Sequence, residues 1–183
     1  MRLFFALWPD AETRARAEKA AGALLLSPAA RLVPRESFHV TLAFLGEANA
    51  AQLEILRRIG SAQQARGCTL RFDIHAYWPQ PLAAVAIARK TPAALSELRM
   101  RLHRDLASEP SLNLDTREWP WRPHVTLARK VAQAPVPQAM SPFSWRARHF
   151  SLIRSDTSAA HSVYTVVDTW PLLDKRPKPS QSL

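Results

Sequence analysis

The stretch His39-Val40-Thr41-Leu42-Ala43 recurs letter for letter as His124-Val125-Thr126-Leu127-Ala128. An identical five-residue repeat arises by chance in roughly one chain in a hundred of this size, so internal duplication is the natural reading. Both copies carry β-branched residues in apolar surroundings and read as strands. Successive side chains of a strand alternate between faces, which puts each His with its Thr and each Val with its Leu. The apolar face suits a cover of helices. The polar face carries an imidazole and a hydroxyl that a packed sheet would not bury without partners. If two such lobes face each other, two imidazoles and two hydroxyls meet across one cleft.

That set of groups fits phosphate-ester chemistry without a metal. One imidazole takes a proton from water while the other gives one to the leaving oxygen, and both tasks suit histidine near neutral pH. The threonine hydroxyls can donate to non-bridging phosphate oxygens as charge builds there. A single His-x-Thr would read as a strand histidine satisfied by the backbone. Its duplication favours chemistry.

Around the repeat, proline (15) punctuates more than glycine (4). Leu3 to Trp8 is an apolar run stopped by Pro9, the pattern of a central strand. Asp10 is placed to cap a helix running to about Leu26, before Pro28. Ser37 to Leu45 reads as a strand. Asn49 and Gln52 form a capping box for a helix that buries Leu53, Leu56 and Ile59. Leu70, Phe72, Ile74 and Ala76 alternate with polar residues as in a half-buried strand, and Trp78–Pro81 links it as a hairpin to a strand over 82–88. Thr91 and Pro92 read as cap and first turn of a third helix with a Leu95, Leu98, Leu102 and Leu106 stripe. Strand-like stretches follow near 122–129, 143–153 and 162–169. Strands and helices mix without regular βαβ alternation, so the expected class is α+β. Residues 1–173 read as one domain and 174–183 as a disordered tail.

Composition bounds the partner. Of 183 residues, 25 are Lys or Arg and 15 Asp or Glu, a net charge of +10, which favours a polyanionic partner: nucleic acid, nucleotide phosphates or an anionic membrane surface. The lone Cys68 excludes an internal disulfide, and neither a zinc spacing nor HExxH nor a glycine-rich phosphate loop is present. No metal or cofactor is expected. No segment approaches a membrane span, and the expected compartment is a reducing cytoplasm.

The chain resembles the two-histidine phosphoesterase superfamily, marked by paired His-x-Thr/Ser motifs. More narrowly it is similar to the bacterial and archaeal RNA 2′,3′-cyclic phosphodiesterases, historically called 2′-5′ RNA ligases. The residues that carry the resemblance are RLFFALWPD at 2–10, SFHVTLAFLG at 37–46, RPHVTLAR at 122–129, SLIRS, and the later YTVV and TWPL. The resemblance implies two pseudo-symmetric lobes, each an antiparallel sheet with helices outside, around a central cleft. It implies His39 as general acid, His124 as general base, Thr41 and Thr126 on the phosphate, and Phe44 and Arg129 sandwiching a nucleobase. It also implies a monomer that opens 2′,3′-cyclic phosphate ends of RNA or nucleotides to a 2′-phosphate. Ser158-Ala159-Ala160-His161 stands where the family usually has a glycine, and the strand at 82–88 lacks a tryptophan often found there. Reverse chemistry, 2′-5′ RNA ligation, is one alternative reading. A non-catalytic basic RNA-binding module is the other.

The remaining candidates read as structural. His75 shares a strand face with Tyr77, where it could border the cleft or serve structure. His103, Arg99, Arg101 and Arg104 read as a solvated helix face. His149 and His161 have no chemistry beside them, and Arg154 could reach the cleft or pair with Asp156. Trp8, Trp119, Trp121, Trp145 and Trp170 read as core or lobe junction, with Trp78 in a loop.

Overall fold

The N-terminal apolar run becomes β1 (Arg2–Leu7), buried on both faces as a central strand must be. Leu3, Phe5 and Leu7 enter the main core, while Phe4 and Ala6 pack on the opposite face. The computed structural model describes residues 1–22, 24, 29–112, 121–134, 141–156 and 162–174. β1 is flanked by β3 (Val40–Glu47) and β8 (His149–Asp156), and β9 (Val163–Pro171) completes a four-stranded antiparallel sheet in the order β3-β1-β8-β9.

The second sheet repeats the plan. Its strand buried throughout is β5 (Ala83–Ala88), which pairs with the second motif strand, β6 (His124–Arg129), and with β4 (Cys68–Trp78). The order is β2-β6-β5-β4-β7, with the two-residue β2 (Arg31–Leu32) on one edge and β7 (Phe143–Ala147) on the other. In both sheets, therefore, the motif strand lies beside a strand with no exposed interior face.

Helices cover the outer faces. α1 (Ala11–Gly22) follows a strand of the first sheet yet packs on β6 and β7 of the second. α2 (Ala50–Ala62) and α3 (Ala93–Ala107) pack on each other, α2 also on β8 and β9 and α3 on β3. Through these crossings one core cluster takes residues from both sheets, including Phe5 and Phe150 from the first and Phe72 and Trp145 from the second. Leu95, Leu98, Leu102 and Leu106 are buried along α3, each stabilising the fold by about 1.5–3 kcal/mol. Asp10 accepts from the Thr13 backbone at 2.7 Å, and the Asn49–Gln52 capping box is formed in both directions.

Several boundaries differ from expectation. α1 is described over Ala11–Gly22, and the expected end near Leu26 falls outside the described residues. α3 begins at Ala93 with Pro92 in extended backbone as its N-cap and no side-chain cap from Thr91, one residue later than the Thr-Pro pair suggested. The single strand expected over 143–153 is two. At Arg148, whose carbonyl accepts from the Leu172 backbone at 2.7 Å, the chain passes from β7 in one sheet to β8 in the other. Asp174 pairs with Arg146 at 2.8 Å, while 175–183, Trp119 and 157–161 lie outside the described residues.

Candidate active site

Each motif histidine enters its cleft at the beginning of a strand. His39 follows a 3₁₀ turn (Arg35–Ser37) and precedes β3, and His124 opens β6. Their anchoring is the same. His39 Nδ1 donates to the Ser37 carbonyl at 2.7 Å, and His124 Nδ1 donates to the Arg122 carbonyl at 2.8 Å. A carbonyl only accepts, so both Nδ1 atoms carry hydrogen and both Nε2 atoms are left for chemistry. His39, Thr41, Phe44, His124, Thr126 and Arg129 all line one cavity of about 580 Å³.

Simple alternation places His and Thr in the cleft but not the residues five positions after each His. Bulges supply those. In β3, Thr41 pairs with Ala6 and Ala43 with Phe5, leaving Leu42 as the extra residue. In β6, Thr126 pairs with Val85 and Ala128 with Ala84, leaving Leu127 extra at the equivalent position. An extra residue reverses the phase of the strand. Phe44 and Arg129 thereby return to the cleft face, Phe44 with 72% of its surface exposed.

A bulge also frees backbone groups from the ladder, and these are satisfied. The Thr41 carbonyl accepts from Trp121 Nε1 at 3.2 Å and the Leu42 carbonyl from His103 Nε2 at 3.1 Å. In the other lobe the Leu127 carbonyl accepts from the Val33 backbone at 2.9 Å. His103 is therefore not the solvated helix residue the sequence suggests. Arg99 likewise lies over Trp121, with its guanidinium carbon 5.0 Å from the ring centre.

The sequence reading missed two tryptophans at the site. Trp8 packs against the cluster of Phe4, Ala6 and Ile153 and also stacks on His39 at 5.7 Å with ring planes 17° apart, while Tyr164 meets the same imidazole edge-on at 5.3 Å. Trp78 ends β4 and meets His124 edge-on at 4.3 Å. Trp8 was recoverable, since it continues the Phe4, Ala6 alternation. Trp78 was not, because a bulge at Asp73 turns Ile74, Ala76 and Trp78 from the helix side to the cleft side. The same bulge points His75 and Tyr77 away from the cleft. The His75 ring nitrogens are buried without a hydrogen-bond partner among the described residues, and burial holds its pKa down. Arg154 alternates with Phe150 and Leu152 of the main core, so it faces away from the cleft too.

Electrostatics favour an anionic guest. Arg2 and Arg129 line the cavity, and its described lining contains no carboxylate. Burial lowers the His39 pKa from 6.5 to about 4, aided by the charges of Arg129 and His124 and opposed by the Ser37 carbonyl. Burial and then Arg129 also lower that of His124, against the pull of the Arg122 carbonyl. The free site thus holds two neutral imidazoles at pH 7. A stability consequence follows. Above about pH 6.5 both folded and unfolded His39 are neutral, whereas between 6.5 and 4 only the unfolded state binds the proton. Denaturant midpoints should fall as pH drops through that window, and His39→Ala should flatten the decline. An equal decline in that variant would assign it to other groups.

Paired antiparallel sheets that each bring a His-x-Thr face to one cleft define a two-histidine phosphoesterase architecture. A family model for the 2′-5′ RNA ligase superfamily matches residues 8–159, and the chain belongs to that superfamily. It is 28% identical to an RNA 2′,3′-cyclic phosphodiesterase of Thermus thermophilus, over 94% of this chain and 90% of the relative. It is also 28% identical to the protein of that name from Escherichia coli, over 93% of this chain and 96% of the relative. The structure of Escherichia coli LigT complexed with 3′-AMP superposes with a TM-score of 0.81 at 28% identity, covering 93% of this chain and 97% of that one.

Among the described residues, no group of three or more His, Cys, Asp or Glu side chains is arranged to hold a metal ion. No described helix is long and apolar enough to cross a membrane.

Proposed function

We propose that this protein hydrolyses 2′,3′-cyclic phosphate ends of RNA or nucleotides by paired histidine acid–base catalysis. The observation that carries the reading is the matched anchoring of the imidazoles, with both Nδ1 atoms tied to backbone and neither Nε2 hydrogen-bonded among the described residues, in one cleft beside two threonines. The names of the similar proteins support it. His124 Nε2 takes a proton from water as the water oxygen attacks phosphorus. The bond to the 3′ oxygen breaks, His39 gives that oxygen its proton, and the product keeps a 2′-phosphate. Solvent exchange then returns both imidazoles to their starting states.

His39 is neutral in the free cleft, so its role as acid requires that the anionic diester restore its proton. A negative charge within about 4–6 Å favours the imidazolium and supplies that effect. Thr41 and Thr126 donate to the non-bridging oxygens, and Phe44 and Arg129 hold the base. Each lobe contributes half of these groups, so residues 1–173 act as one unit, and that unit works as a monomer.

The central test is a 2′,3′-cyclic nucleotide incubated with the protein in excess chelator, with the phosphate isomers resolved. Undiminished conversion to the 2′-phosphate is expected. Full loss of activity, restored by a divalent metal, would sink the metal-free mechanism. Adding an RNA 5′-hydroxyl end to the same mixture separates hydrolysis from 2′-5′ ligation by relative yield. A pure RNA-binding module would give no product at all.

Phe44→Ala and Arg129→Ala should weaken capture by about 1–3 kcal/mol, the scale of a lost base stack. Cyclic nucleotides compared with a bare ribose cyclic phosphate provide the check. An equal loss on the bare ribose would make Arg129 a phosphate contact rather than a stacking partner.

A further inference from the structure

Beyond the threonines, the two motif strands carry matching positions outward. Phe44 pairs with Phe4, two residues along β1 from the Ala6–Thr41 pair. Arg129 pairs with Ala83, two residues along β5 from the Val85–Thr126 pair. At about 3.3 Å per residue, both lie about 7 Å past the threonines. Arg2 lies two residues further along β1, about 13 Å from the threonine level, and it lines the cavity on the same face as Phe4.

The other lobe has a second cation next to a cavity residue, itself outside the cavity lining. Arg31, on the two-residue edge strand β2, stands directly opposite Arg129. Directly opposed residues share a sheet face with Cβ atoms about 4.5–5.5 Å apart, and like charges placed so destabilise the pairing. Arg31 is exposed; Arg2 stands opposite Glu47 in the register, but that carboxylate pairs with the Met1 ammonium at 3.0 Å, and among the described residues Arg2, Arg31 and Arg129 form no ion pair. β2 pairs with β6 over only two residues, and an anion lying across the Arg31 and Arg129 guanidiniums would relieve their repulsion.

We propose that Arg2 and Arg31 bind the backbone phosphates on the 5′ side of the terminal nucleotide, so that the preferred substrate is an RNA end and not a free cyclic nucleotide. This rests on the hydrolase reading above. Along the cleft the catalytic pair comes first and the base-holding pair next, with Arg31 level with Arg129 on the neighbouring strand and Arg2 one step further out, so the two cations lie where the phosphate preceding the last nucleotide would be met. Phosphate contacts of this kind position a strand without reading its sequence.

The test compares adenosine 2′,3′-cyclic phosphate with a tetranucleotide ending in the same cyclic phosphate, for the parent protein and for Arg2→Gln, Arg31→Gln and the double variant. The parent should show kcat/KM at least tenfold higher for the tetranucleotide, and the double variant should lose most of that ratio. In parallel, binding of a labelled tetranucleotide ending in a 3′-phosphate is followed against salt. Each phosphate contact removed should reduce the log–log slope by about 0.7 for a single strand. A parent that treats both substrates alike, or a double variant that keeps both ratio and slope, would overturn the subsite. If neither substrate is hydrolysed yet the slope falls in the variants, the subsite stands and the hydrolase reading is what fails.

Discussion

His39→Ala and His124→Ala should each lower turnover of a 2′,3′-cyclic phosphate by about 10²–10⁴-fold, the range for a positioned acid or base. In-line displacement sets the attacking water and the leaving oxygen on opposite sides of phosphorus, and each sheet delivers an imidazole to the shared cavity. One must begin neutral and the other protonated, so rate against pH should be bell-shaped. The losses separate on a p-nitrophenyl phosphodiester that the site accepts, because its leaving group departs without a proton. There His39→Ala should be largely rescued, while His124→Ala stays impaired. Rescue of His124→Ala alone would reverse the roles, an order that the low pKa of His39 in the free cleft would suit. Rescue of neither would remove acid–base catalysis by this pair. Because burial disfavours both imidazolium forms, the acid limb of the bell should shift to higher pH when anionic substrate saturates the cleft.

Thr41→Val and Thr126→Val should each cost about 10- to 1,000-fold in turnover, the scale of losing one donor to a developing oxyanion. Valine keeps the β-branch and close to the same volume, so β3 and β6 retain their packing. Thr41 is 9% exposed and lies between buried Val40 and Leu42; its hydroxyl has value there only toward the cleft. The effect should fall on kcat more than on KM, since the donors act most strongly as charge grows on the phosphate oxygens. Unchanged turnover in both variants, with folding intact by thermal melts, would mark these threonines as structural.

Much of this molecule is written locally. The apolar run from Leu3, the Asn49–Gln52 capping box and the leucine stripe of α3 each depend on neighbours a few residues away, and each is present as read. His39, Thr41, His124 and Thr126 were legible because period two assigns them a face and duplication makes that assignment twice. Phe44 and Arg129 were legible only through resemblance. Alternation alone would have turned both away from the cleft.

Other readings failed where distant segments set the answer. His103 looked solvated because nothing near it in sequence announces the carbonyl of Leu42, freed by a bulge 61 residues away. The stretch after Phe143 looked like one strand because no local signal records a change of sheet at Arg148. Trp78 looked like a loop residue because the Asp73 bulge that turns it toward His124 is defined only against β5.

By itself the sequence determined the chemistry available: two imidazoles and two hydroxyls on strand faces, a surplus of positive charge, and apolar periods sufficient to cover two sheets. Tertiary structure alone decided what faces what. A bulge is a mismatch in residue count between paired strands, so it exists only once the partner strand is in place. Bulges at Leu42, Leu127 and Asp73 bring Phe44, Arg129 and Trp78 to the cleft, and burial on assembly lowers the pKa of both histidines.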